Sequence, residues 1–153
     1  FEERCLVRLL GDMRAYNFVV AVTPDFDATS IRVRAMDFDQ QSYDGRIRFY
    51  LPGSFKENQP FTQLCRQHIN ADSAAQYRRE ERSLIHRRLL AAPDRVRDLL
   101  QAMESNSLST PEKASELAEG LADYHKDSAF RKHSTMAGLI AESLARLDRI
   151  LRT

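Results

Sequence analysis

The sequence predicts a mainly α fold with one β-hairpin and one long loop inserted near its start. Three observations predict it. Apolar residues recur at three- and four-residue spacing through most of residues 61–151. Two short runs, residues 16–22 and 31–35, are aromatic, β-branched or cleanly alternating, with a turn-rich segment between them. Residues 38–60 hold no sustained period at all.

Taken in order, residues 2–10 place Cys5, Leu6, Leu9 and Leu10 at helical spacing, and Gly11 is the expected helix stop. Residues 16–22, YNFVVAV, read as a buried strand. The segment TPDFDATS carries Pro24, Asp25 and Asp27 and reads as a turn. The next run puts Ile31, Val33 and Ala35 on one face and Arg32 and Arg34 on the other. No room exists for a crossover, so the two strands are expected to form an antiparallel hairpin. The loop over 38–60 contains Gly45, Pro52, Gly53 and Pro60, with a short strand expected at Ile47 to Leu51. Loops of this length in compact domains are often functional.

Helices follow. Phe61, Leu64, Cys65 and His68 share a helical face. Asp72 is the expected N-cap of a helix reaching about Ala92, with Tyr77, Leu84, Ile85, Leu89 and Leu90 as its apolar positions. Pro93 opens another helix carrying Val96, Leu99, Leu100 and Met103. After a polar connection from Ser105 to Ser109, Thr110-Pro111 starts a helix with Ala114, Leu117, Ala118 and Leu121. The last helix, from about Lys132, bears a stripe from Met136 to Leu151. The expected organisation is one domain, with residues 1–60 holding the hairpin and loop and residues 61–153 the helical region. The chain opens at Phe1 in mid-pattern, which predicts a piece of a longer polypeptide.

Composition excludes several classes. A net charge of +1 gives no reason to expect a nucleic-acid partner. No stretch approaches the roughly 18 apolar residues of a membrane span, so a cytoplasmic protein is the expectation. Cys5 and Cys65 have no metal-ligand spacing and read as reduced thiols. His68, His86, His125 and His133 show no zinc-type spacing, and the five glycines form no phosphate loop. Arg78, Arg79, Arg82, Arg87 and Arg88 are interspersed with Glu80 and Glu81, which points to intrahelical ion pairs on a solvated face. Tyr43-Asp44-Gly45-Arg46 reads as a surface turn, with a part in substrate recognition as the alternative.

The pattern that carries chemistry is Asp12-Met13-Arg14-Ala15-Tyr16-Asn17, then the hairpin, then Met36-Asp37-Phe38-Asp39. Phosphoryl transfer needs a carboxylate to orient or deprotonate the attacking hydroxyl, and a carboxylate and a carboxamide oxygen to hold Mg²⁺ against phosphates. If Asn17 faces Asp37 in an antiparallel pair, the turn centres on Asp27, in the middle of the turn-rich segment. That register sets both side chains at the same end of the hairpin, near Asp12.

These residues resemble the catalytic loop and metal-binding segment of the protein-kinase-like fold. The match is closest to atypical branches such as phosphoinositide-kinase-like enzymes and bacterial toxin-type kinases, where Gly-Asp stands as Gly11-Asp12 does here. The resemblance implies Asp12 as catalytic base, Asn17 and Asp37 as metal ligands, Mg²⁺ and ATP as cofactors, and a phosphoryl acceptor of unspecified kind. It also implies that residues 61–153 are the helical C-terminal lobe, and that a nucleotide-covering N-terminal lobe or partner chain completes the site unless this fold has lost it. Specific residues carry over only across about residues 9–39. Asp39 stands where ordinary kinases have glycine, and no glycine-rich loop or strand lysine lies upstream. A non-catalytic pseudokinase or helical interaction domain is the alternative expectation.

Overall fold

A computed structural model describes residues 1–152. Helix α1 (Glu2–Arg8) leads through a tight loop into the antiparallel hairpin of β1 (Phe18–Pro24) and β2 (Thr29–Ala35). Residues 36–58 follow as a loop with short 3₁₀ turns at Ile47–Tyr50, Pro52–Ser54 and Lys56–Asn58. The helices α2 (Gln59–His68), α3 (Ala71–Ala91), α4 (Pro93–Ser105), α5 (Pro111–His125) and α6 (Met136–Arg152) complete the domain. The mainly α architecture with an inserted hairpin is as the sequence predicts.

Local chemistry explains most helix boundaries. Thr110 caps α5, its hydroxyl accepting from the Lys113 N–H, and Pro93 and Pro111 occupy the first positions of their helices. Asn70 caps α3 in place of the expected Asp72; its side-chain oxygen accepts from the Ser73 N–H at 2.8 Å. Asp72 instead sits in the first turn, where its charge meets the positive helix end. α6 begins four residues later than expected. The Asp127 carboxylate accepts from the Ala129 N–H and starts a separate 3₁₀ turn, Ser128–Lys132, which buries Phe130 completely. The expected strand at Ile47 to Leu51 is also a 3₁₀ turn, Ile47–Tyr50, with the Phe49 N–H donating back to the Arg46 carbonyl rather than to a neighbouring strand.

The core lies between α5 and α6. Leu117, Leu121, Leu139 and Phe130 pack there with Leu6 and Leu9 from the chain start and Tyr50 from the loop. Tyr50 is wholly buried and its hydroxyl donates to the Asp44 carbonyl at 2.6 Å, so the loop is pinned to the core from inside. The 43–46 segment is the surface turn expected, closed by Arg46 donating to the Asp44 carboxylate from its backbone and guanidinium.

One burial expectation fails. The YNFVVAV strand is not buried: Val19, Val20 and Val22 are 43–59% exposed, and Ile31 across from Val22 is 65% exposed. Only the base of the hairpin is packed, where Phe18 meets Phe1 and Phe61. The Phe61/Leu64/Cys65/His68 face of α2 is exposed as well. On α3, Ile85 alone among the expected apolar positions is buried.

The arginine-rich stretch of α3 pairs between helices rather than within one. Arg82 grips the buried Glu3 with two hydrogen bonds of 2.8 and 2.9 Å, Glu81 meets Arg4 at 3.0 Å, and Arg78 lies 3.9 Å from both Glu2 and Glu3. These contacts lash α1 to α3. Their acidic partners lie on another helix, 79 residues away in sequence for the Arg82–Glu3 pair, beyond the reach of helical spacing rules.

Cys5 is buried and Cys65 exposed, and both are free thiols. Burial pushes the Cys5 thiol up to about 12. Thiolate-dependent alkylation at pH 8 is therefore expected to modify Cys65 in the native protein and leave Cys5 untouched, as mass spectrometry of the labelled peptides will report.

His125 supplies a pH dependence. Its ring stacks on Phe130 at 5.4 Å, and burial, reinforced by Arg146 and Arg82, lowers its pKa from 6.5 to about 4. The folded protein thus holds a neutral imidazole where the unfolded chain takes up a proton. The His125 contribution is intact above about pH 6.5, is lost as pH falls towards 4, and then levels off. For a partly exposed ring it amounts to roughly 2 kcal/mol. Urea unfolding between pH 7 and 4 is expected to show a shallower pH dependence in His125→Phe than in the wild type.

Candidate functional site

The candidate site is built where the α1 exit, the hairpin base and the long loop meet. α1 ends at Leu9, which adopts a left-handed backbone conformation (φ 48°) and remains fully buried. Gly11, expected to end the helix, has another task. A Cβ there would lie 2.5 Å from the Gln40 carbonyl oxygen and 3.1 Å from the Phe49 ring. Only a glycine lets the segment after Asp39 come this close to the Asp12 loop.

Asp12 itself has φ 57°, a conformation that Asp and Asn tolerate better than most residues. Its N–H donates to the Phe49 carbonyl at 3.1 Å, while its own carbonyl accepts from the Arg14 N–H at 2.8 Å and from the Asn17 side-chain amide at 2.7 Å. The loop is clamped from beneath by Asn58. That buried amide donates both to the Met13 carbonyl at 2.8 Å and to the Pro52 carbonyl at 2.7 Å.

Side chains complete the arrangement. Arg14 Nε donates to Asp12 Oδ1 at 2.6 Å, and the guanidinium also reaches Glu57 at 3.3 Å and lies over the Phe55 ring. The Asp12 carboxylate, reinforced by its charge, holds the Arg14 pKa above its ordinary value. The Asn17 amide nitrogen lies 3.4 Å from Asp12 Oδ2, and the Asn17 side-chain oxygen Oδ1 accepts no hydrogen bond among the described residues. Asp12 and Asn17, five residues apart, are therefore brought into direct contact.

Asp37 comes to the same end of the hairpin by a register one residue from that expected. Phe18 pairs with Ala35 and the Met36 N–H donates to the Asn17 carbonyl, so Met36, not Asp37, stands opposite Asn17. The reason is the turn. Asp25 and Ala28 exchange backbone hydrogen bonds around a two-residue tip, Phe26-Asp27, which centres the hairpin between those residues rather than on Asp27. Asn17 and Asp37 make no hydrogen bond to each other. Asp37 Oδ1 instead accepts from the Asp39 N–H at 3.1 Å, drawing the two carboxyl groups together. Asp39 has its pKa raised, first by a side-chain hydrogen bond with Asp37 and further by the Asp37 and Asp12 charges.

Asp12, Asp37 and Asp39 thus share one electrostatic neighbourhood, and Asn17 joins it through its side-chain nitrogen at Asp12. Among the described residues no three His, Cys, Asp or Glu side chains converge as a ready metal cage. A Mg²⁺ ion bound mainly through phosphate and water needs only one or two carboxylates, which this set can supply. Sequence reasoning missed Arg14, Phe49 and Asn58 as organisers of the loop. Asn58 had no readable signal, because its partner Met13 is 45 residues away.

Comparison with protein-family models, with curated proteins and with solved structures gives no significant match for this chain.

Proposed function

We propose that this chain carries the acceptor- and metal-binding half of a kinase-like phosphotransferase that uses Mg²⁺ and ATP. The observation that supports it best is the direct Asp12–Asn17 contact in a loop braced on three sides, beside a pair of carboxylates close enough to raise Asp39. Repelling carboxylates at one place are an arrangement a divalent cation relieves. Bound Mg²⁺ would supply charge neutralisation for the nucleotide phosphates.

In this reading Asp12 accepts the proton of the attacking hydroxyl at Oδ2, which carries a long 3.4 Å contact from Asn17, while Arg14 on Oδ1 orients the carboxylate. Asn17 and Asp37 would hold the metal, and Asp39 would add negative charge to the site. The acceptor is a hydroxyl-bearing molecule whose class the site chemistry leaves open. A nucleotide-covering lobe or partner chain meets the exposed apolar surface of β1 and β2. A cytoplasmic setting, where Mg–ATP is supplied, goes with this reading.

The same exposed hairpin favours a second reading, a non-catalytic pseudokinase or helical interaction domain that keeps the loop geometry without turnover. One comparison separates the two. Phosphate transfer from ATP by the full-length protein is expected to require Mg²⁺ and to be lost in Asp37→Asn. Transfer undiminished in that variant would sink the metal-ligand assignment, and absence of transfer in the wild type would favour the interaction domain.

A further inference from the structure

A second site lies apart from the Asp12 loop. Between α1, α3, α4 and α6 is a cavity of about 470 Å³, within the usual range of small-molecule sites. Its walls are apolar, formed by Val7, Ile85, Leu89, Ile140 and Leu144 among others. No aspartate or glutamate lines it, whereas Arg4, Arg8 and Arg88 all do. With Arg4 answered by Glu81 outside the lining, Arg8 and Arg88 leave a local excess of positive charge at one apolar cavity.

The three arginines are not equivalent. Arg4 is engaged, donating to the Val33 carbonyl and paired with Glu81. Arg8 and Arg88 are exposed at the cavity and their guanidinium groups make no ion pair among the described residues. The wall beside Arg8 holds a further polar group. The Ser42 N–H donates to the Leu9 carbonyl, and the Gln41 amide donates to the Arg8 carbonyl, so residues 41–42 are tied against the end of α1. Ser42 lines the cavity, is 1% exposed, and its hydroxyl has no hydrogen-bond partner. A buried hydroxyl left unpaired costs stability unless something meets it.

We propose that this cavity binds a single-chain amphipathic anion, a fatty carboxylate, with its tail among Val7, Ile85 and Leu144 and its headgroup between Arg8, Arg88 and the Ser42 hydroxyl. The apolar volume recognises the chain, the two free guanidiniums recognise the charge, and the serine gives the carboxylate a directional donor. A cationic amphiphile meets two like charges, and an uncharged one leaves the arginines unanswered. The site does not depend on the phosphotransferase reading, since none of its residues belongs to the Asp12 loop.

The test is titration of the purified protein with dodecanoate, kept below its micelle concentration and followed by the methyl NMR signals of Val7, Ile85 and Leu144. Saturable binding in the micromolar range is expected, with dodecanol weaker and dodecyltrimethylammonium weaker still. The double variant Arg8→Gln/Arg88→Gln alters exposed side chains, and is expected to weaken dodecanoate about tenfold while leaving dodecanol unchanged. Leu99→Trp, which adds bulk from a half-exposed wall position, is expected to block both ligands. Absence of saturable binding, dodecanol or the cation binding as tightly as dodecanoate, or an unchanged dodecanoate affinity in the double arginine variant would each overturn the proposal.

Discussion

Replacing Asp12 by asparagine is expected to lower the rate of phosphate transfer by the full-length protein about 10²- to 10⁴-fold, the range typical of a lost general base. Under the proposed function the KM for ATP is expected to change little, because that reading puts Asp12 on the acceptor side of the site. Asparagine is the informative replacement. Asp12 has φ 57°, and asparagine accepts that backbone conformation as readily as aspartate does. The Phe49, Arg14 and Asn17 hydrogen bonds to the residue-12 backbone all survive the change. Only the charge and basicity of the carboxyl group go. Alanine at the same place would add backbone strain and confuse a folding defect with a chemical one.

The accompanying loss of the 2.6 Å Arg14–Asp12 pair is a smaller effect, since the two side chains are 33% and 23% exposed and Arg14 keeps its contacts with Glu57 and Phe55. A thermal unfolding scan is expected to place Asp12→Asn within a few degrees of the wild type. Transfer that persists at the wild-type rate in this correctly folded variant would remove Asp12 from the chemistry.

What was readable in the sequence divides along a physical line. Thr110, Pro111 and Pro93 act on backbone groups within four residues, so the helices they begin were legible. The nearness of Asp12 to Asn17 was legible for the same reason, since they stand five residues apart in one loop, though their direct contact was not foreseen. The alternation of β2 correctly gave a strand, but alternation reports which residues can be buried and not whether anything covers them. Val22 and Ile31 therefore form the expected strands and remain exposed. The one-residue register error came from the tip, where Phe26-Asp27 and a symmetric turn centred on Asp27 differ by a backbone preference that composition does not reveal. Asn58 and the Glu3–Arg82 pair were illegible because each joins segments more than forty residues apart.

That last pair carries the largest expected effect on stability. Glu3 is 5% exposed, and the Arg82 fork satisfies both of its carboxylate oxygens. Arg82→Met keeps much of the apolar stem and removes both hydrogen bonds, leaving Arg78 at 3.9 Å as the remaining cation beside Glu3. A buried carboxylate deprived of its partner typically costs about 3–5 kcal/mol, which urea unfolding at pH 7 would read directly. For a domain of this size that corresponds to a fall in melting temperature on the order of 10 °C. The double variant Glu3→Leu/Arg82→Met removes the stranded charge as well and is expected to recover most of the loss. Recovery would show that the cost of Arg82→Met is desolvation of Glu3 rather than a missing attraction. The consequence reaches the candidate site, because α1 enters the Asp12 loop directly and this pair is its strongest tie to α3. Arg82→Met is accordingly expected to speed hydrogen exchange at the Leu10 and Asp12 amides, whose acceptors are the Cys5 and Phe49 carbonyls, before the α5–α6 core opens.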